Sequence, residues 1–373
     1  MRIKQCILYL LIGLLTLSSH AQTIQYKEKA TDDYVRFFYD INYNLVDKYC
    51  EFKEIERVAA YDTVNLKFNG EFKDFDNNGR LLIQGNYVNG SKEGSFIGYH
   101  LNGQIKWKTT YVNNIPAGEW NYFYPDGKPM LSLTLSESDF RFNSFWDRYG
   151  TQKISNGEGN YEMVMPIKGF TDHGYTSYVR RGKVVNGRPD GHWTISFITD
   201  DKKPKEIPVY NEKYSNGELL TYNLTALFYD YFIPYDDFVI VPSEFFNVAE
   251  FFIINNCSFD EYSGFLKFLA KQFSASLGEL EVESINDAGR FVIQYDVFKS
   301  GSPFKSSVIE SPSTMPSRDI QKMSHIFQGI SFFIPSIEEG KPIRDKITVT
   351  VDVQIRNQEV ILDYLALQRE KGK

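Results

Sequence analysis

Cysteine and histidine are scarce in this chain: three and five among 373 residues. Cys6 lies in the N-terminal apolar run, so only Cys50 and Cys257 bear on the fold. They stand far apart in sequence; two free buried thiols are the expected state, with a disulfide as the alternative. No histidines pair at i, i+4, which leaves zinc without a ligand pattern. A Gly-x-Ser-x-Gly elbow, a phosphate loop and a Gly-x-Gly-x-x-Gly turn are all missing. These absences speak against an enzyme, and neither cofactor nor metal is expected. Basic residues are in the minority, 41 against 48 acidic, for a formal charge of −7. Without a basic cluster, nucleic acid and anionic lipid headgroups are poor partners. After the first 21 residues no stretch approaches 18 consecutive apolar residues, so no membrane-spanning helix is expected there.

The opening segment has the three parts of a secretory leader. Arg2 and Lys4 form a basic head, CILYLLIGLLTL an apolar run, and SSHA a small-residue end. Cleavage is expected after Ala21, since the run is short for a membrane anchor. Loss of Arg2 and Lys4 takes the formal charge from −7 to −9. The product would be exported: periplasmic, outer-membrane associated or secreted. With 25 Tyr and 30 Phe it is not a disordered chain.

One phrase recurs at a period of 24: GEFKDFDNNG from Gly70, GSFIGYHLNG from Gly94 and GEWNYFYPDG from Gly118. Phe72, Phe96 and Trp120 share a column, as do Phe75, Tyr99 and Phe123. Each unit reads as a β-hairpin with Asn78-Gly79, Asn102-Gly103 or Asp126-Gly127 at its tip. Phe72 and Phe75 lie three apart, so either both faces are covered or a bulge intervenes. Leu81, Ile83 and Tyr87 share a face, and stacked units can bury what one hairpin cannot. Clear units cover 70–93, 94–117 and 118–136. Asn156-Gly157 marks a further turn, and VNGRPDGHW from Val185 and YSNG from Tyr214 return the pattern. Degenerate repeats are expected from 137 to 183, and Thr199–Glu206 reads as an inserted polar loop.

On these residues the chain resembles the MORN-repeat variant of bacterial envelope proteins, over residues 64–220, after a strand-rich segment at 22–63. The resemblance implies a β-hairpin repeat sheet. An aromatic bridging segment follows at 221–246. Beyond it, Phe259–Phe273 reads as a helix with a stripe of Phe265, Leu266, Leu269 and Phe273. Phe291–Phe298 reads as a strand, Ser300-Gly301 as a turn, Ser317–Phe327 as a helix and Ile347–Ile355 as an alternating strand. That order, with Phe333-Ile334-Pro335-Ser336 and Gly340-Lys341-Pro342-Ile343, resembles the C-terminal domain of TonB-like proteins over residues 247–358, with a tail at 359–373. The fold class expected is therefore mainly β, a repeat sheet followed by a small α+β domain.

The one metal-like stretch is Asp74-Phe75-Asp76-Asn77-Asn78-Gly79, which matches the first half of a calcium loop. Gly85 stands where the bidentate Glu belongs, so these acids read as variation on a turn. The aromatic columns read mainly as the stack itself rather than as a ligand surface. The TonB-like resemblance implies a partner-binding edge strand at Thr348, Val349, Thr350, Val351, Asp352, Val353 and Gln354. Against that, Val360, Ile361, Tyr364 and Leu367 could line a helix covering the same edge. The reading is an exported, non-catalytic interaction protein of the cell envelope, its partners envelope proteins. The alternative is an accessory of receptor-mediated transport that binds outer-membrane receptors by strand addition.

Overall fold

The computed structural model describes residues 24–137, 139–167, 175–199, 201–224, 239–242, 245–278, 289–338, 341–356 and 359–371. The expected leader at 1–21 and most of the aromatic bridging segment lie outside the described residues. The molecule is mainly β, and most of its strands belong to one long antiparallel meander. β1 (Lys27–Lys29), β2 (Tyr34–Tyr39), β3 (Ile55–Asp62), β4 (Lys67–Asp76) and β5 (Leu81–Val88) pair in chain order. β6 (Ser91–Lys92) turns back on β5 before β7 (Gly94–Tyr99) continues the sheet. β8 (Ile105–Val112), β9 (Ile115–Pro116) and β10 (Gly118–Phe123) repeat that arrangement. β11 (Pro129–Leu135), β12 (Phe140–Trp146), β13 (Gln152–Ser155) and β14 (Glu158–Pro166) follow, each pairing with its predecessor. β15 (Ser177–Val185), β16 (Arg188–Ile198), β17 (Glu206–Ser215) and β18 (Glu218–Leu224) are its last strands among the described residues. The meander thus starts before residue 64 and carries the repeat architecture through the degenerate stretch.

Two kinds of turn alternate, and they divide the roles of the Asn-Gly pairs. At Asn89-Gly90, Asn156-Gly157, Asn186-Gly187 and Asn216-Gly217 both residues take positive φ, between 48° and 90°. These are the two-residue turns that asparagine and glycine favour. At the tips only Gly79, Gly103 and Gly127 do so, at 74°, 81° and 82°. There the Gly79 amide donates to the Asp76 carbonyl at 2.9 Å, three residues back. The tips are hairpin ends as expected, but of the three-residue kind in which glycine alone is left-handed. These turns are bonded to a neighbouring strand or turn. The Gly90 amide donates to the Phe68 carbonyl at 2.8 Å, and the Gly187 amide to the Gly157 carbonyl at 2.9 Å.

A bulge resolves the spacing of Phe72 and Phe75. The register shifts at Asp74/Phe75, Gly98/Tyr99 and Tyr122/Phe123, the same place in each unit. Phe72 and Phe96 are fully buried with Ile83, Trp107 and Leu131 on one face. Phe75, Tyr99 and Phe123 sit half-buried beside the tips. Where Trp107 crosses Gly98, a Cβ at the glycine would lie 2.3 Å from the indole, so the ring needs the missing side chain.

Residues 246–257 form a strap over the buried face. Its 3-10 helix, Phe246–Phe251, lays Phe246 against Phe96 and Trp107 with ring centroids 5.6 and 5.9 Å away. Phe252 packs on Phe37 and Phe68. Glu250 accepts hydrogen bonds from the buried Lys92 ammonium at 2.7 Å and the Tyr87 hydroxyl at 2.9 Å. Ile254 forms a parallel bridge with Leu45, and Asn255 donates to Asp40 at 2.7 Å. Cys50 and Cys257 are joined by a disulfide, S–S 2.09 Å and Cα–Cα 5.6 Å. The expected free thiols are corrected: the strap brings the two cysteines together across 207 residues.

A second core begins at Phe259. The expected single helix is two, α1 (Phe259–Tyr262) and α2 (Phe265–Gly278), split by Gly264 at φ 79°. β19 (Gly289–Val297), β20 (Pro303–Glu310) and α3 (Ser317–Gln328) follow. After a small ribbon, β21 (Ile337–Glu338) and β22 (Lys341–Pro342), come β23 (Asp345–Arg356) and β24 (Glu359–Lys371). The sheet order is β20-β19-β23-β24. Phe265, Leu269, Phe273 and Phe327 from the helices meet Phe291, Ile293, Val349 and Val351 from the sheet.

Candidate interaction surface

The expected edge at Thr348–Gln354 is not an edge. β23 pairs with β19 on one side and with β24 on the other, where Thr348 meets Gln368 and Gln354 meets Ile361. Its backbone groups are spent within the sheet, so an added peptide strand has no ladder to join there. The alternation itself is as expected, with Val349, Val351 and Val353 buried and Thr348, Thr350, Asp352 and Gln354 on the other face. The tail covers the edge as a strand, not as the alternative helix. The Arg369 guanidinium anchors it, donating to Asp260 at 2.7 Å, to the Ile334 carbonyl at 2.7 Å and to Asp345 at 3.2 Å.

The calcium-like stretch is occupied by the protein itself. Both Asp74 oxygens accept from Arg57, at 2.7 and 2.9 Å, and both residues are wholly buried. The guanidinium lies 4.3 Å from the Phe72 ring centroid. Burial disfavours its charge, and Asp74 more than offsets this, so its pKa sits above the ordinary value. Asp76 accepts from the Asn78 and Arg80 amides and pairs with the Arg80 side chain. The acids thus hold a turn and a strand pair. Among the described residues no three His, Cys, Asp or Glu side chains converge as a metal set.

Between the first two tips lies a surface depression of about 390 Å³, lined by Arg80, Leu81, Tyr99, His100, Leu101 and Asn102. His100 is engaged with the Phe123 carbonyl at 2.8 Å and Asn102 donates to the Pro125 carbonyl at 2.7 Å. These two side chains staple one tip to the next.

The face opposite the aromatic core carries a mainly polar row, interrupted by Ile97. Pairing runs in register from Lys73 to Gln84, Ile97, Lys108, Asn121, Ser132 and Ser144 across successive strands. Lys73 and Lys108 are exposed, Gln84, Ile97, Asn121 and Ser144 are half-buried, and Ser132 is buried. Ser132 donates to Glu119 at 2.7 Å, and the Asn143 amide donates to Thr134 at 2.9 Å. At about 4.8 Å per strand the row spans roughly 30 Å. Its signal was in the sequence: Lys73, Ile97 and Asn121 obey the 24-residue period, as do Gln84, Lys108 and Ser132. Donors and acceptors held at fixed spacing suit an extended polar ligand or a protein surface. No protein-family model and no curated protein matches the chain.

Proposed function

We propose that the chain is an exported, non-catalytic interaction protein of the cell envelope, and that it binds partner proteins through the polar face of its hairpin sheet. The observation that carries this is the in-register row from Lys73 to Ser144, which runs from strand to strand across the sheet with Lys73 and Lys108 exposed. The Cys50–Cys257 disulfide supports an oxidising compartment. In this reading the sheet is a MORN-like repeat surface, and the second core is a TonB-like domain with one added strand. The transport alternative loses its support, because β24 occupies the edge that strand addition requires.

The test is affinity capture from envelope extracts with the wild-type chain and a Lys73→Glu/Lys108→Glu variant. Proteins retained by the wild type and lost by the folded variant are the expected result. An identical set with both would remove the polar face from the proposal.

A further inference from the structure

The described residues include four strands with one side unpaired at the ends of the two large sheets, and three of them carry devices that discourage pairing. β1 is three residues long and reads Lys-Glu-Lys. In β20 the register against β19 skips Phe304 and Ile309, two bulges in one strand that also holds Pro303 and Lys305. In β24 the register skips Asp363, a charged bulge, and Glu359, Arg369 and Glu370 add further charge. Bulges, proline, lysine and short length are the known means of blunting a sheet edge.

β18 differs. It has a single bulge, at Leu220, and neither lysine nor proline. Leu219, Leu220 and Tyr222 are 44%, 50% and 65% exposed, and they lie on both faces of the strand. Earlier in the meander, the second strand of each hairpin is followed by an antiparallel neighbour, as β5 is by β7 and β8 by β10. β18 has no such neighbour among the described residues. A repeat stack needs a polar cap at its last unit, and among the described residues β18 ends the sheet with exposed apolar side chains instead.

We infer that β18 pairs with β18 of a second copy of this chain, antiparallel about a two-fold axis at Thr221. The second copy's strand would take the place of the next repeat's first strand. Its register is self-complementary. Thr221 faces Thr221, Leu220 faces Tyr222, Leu219 faces Asn223 and Glu218 faces Leu224. No like charges oppose, and two aliphatic–aromatic pairs form, which favours the pairing. The same operation on β1 would set Glu28 against Glu28. A head-to-tail joint of β18 to β1 would leave most of β18 uncovered. One strand edge is smaller than the interface of a permanent dimer, so the dissociation constant should be micromolar. This inference is independent of export and of the polar face.

The experiment is sedimentation equilibrium of the chain from residue 22 onward, from low to high micromolar concentration. The wild type should pass from one chain's mass to two. Thr221→Glu should raise the dissociation constant by about tenfold or more, because two carboxylates then face each other across the axis. Within its own sheet position 221 lies opposite Lys213, so the glutamate is tolerated there, and an unchanged melting curve verifies folding. Mixing Thr221→Glu with Thr221→Lys should restore the dimer. A wild type that stays monomeric, or a Thr221→Glu variant that dimerises like it, would overturn the inference. A mixture that stays monomeric would overturn the register.

Discussion

Gly98 and Gly103 stand five residues apart in one hairpin and are fixed by different physics. Gly103 has φ 81° and nothing within 4 Å of where a Cβ would go, so its constraint is the backbone alone. Gly103→Val should cost about 1–2 kcal/mol, since a β-branched residue resists that region. A neutral effect on the melting temperature would contradict the turn. Gly98 is instead held by the Trp107 ring above it. Arg57 presents a third situation, a buried charge that exists for its partner. Arg57→Met would leave Asp74 buried without a cation, and a loss of about 3–5 kcal/mol in denaturant unfolding is expected. The tip carboxylates add a pH dependence. The amide of Thr151 is the main force holding the Asp147 carboxyl below its ordinary 3.8, aided by the Tyr149 amide and Lys153 against partial burial. A folded value below the unfolded one gives stability that is present above pH 3.8 and is lost as pH falls through the folded value. The wild type should therefore lose stability on acidification below that point, and Asp147→Asn should lose less over the same window.

At the level of elements, the hairpins were legible because a period of 24 repeats both their turn chemistry and their buried columns. What the period left undecided was the bulge, one of two readings of the three-residue spacing of Phe72 and Phe75, since an extra residue leaves no mark on composition. The same omission explains the tail. Val360 and Leu362 face the second core, the register then skips Asp363, and Leu365, Leu367 and Arg369 take up the inward face. Two alternating runs of opposite parity, joined by one bulge, give spacings of three that imitate a helix. Strand or helix, the segment had to cover β23, and the geometry lets it do so through main-chain pairing. Arg369 fixes its far end between Asp260 and Asp345, both buried. Arg369→Met should leave two carboxylates short of a cation, and the amides of Leu365 to Arg369 should then exchange hydrogen faster than in the wild type. Exchange at the wild-type rate would show that pairing alone holds the strand.

At the scale of the whole molecule, the two cores are built from different parts of the chain, and the strap is what joins them. Composition and spacing could not show this, because the partners are brought close only by folding: Cys50 with Cys257, Asp40 with Asn255, Phe52 with Tyr262. The rings of Phe52 and Tyr262 stack with centroids 4.7 Å apart, directly beside the disulfide. The bond closes a loop spanning 207 residues, a length for which chain entropy alone corresponds to about 5 kcal/mol. Its loss should weaken the strap's hold at one end. The strap would keep Phe246 and Glu250 on the first sheet, since those contacts lie upstream of Cys257. The second core would then be tied to the first mainly by the short run after Asn255. The oxidised protein should therefore unfold in one calorimetric transition. The Cys50→Ser/Cys257→Ser variant should show two, the first core melting at a lower temperature than before. A single transition at the same temperature in both proteins would mean that the cores are coupled by packing, with the disulfide adding nothing to it.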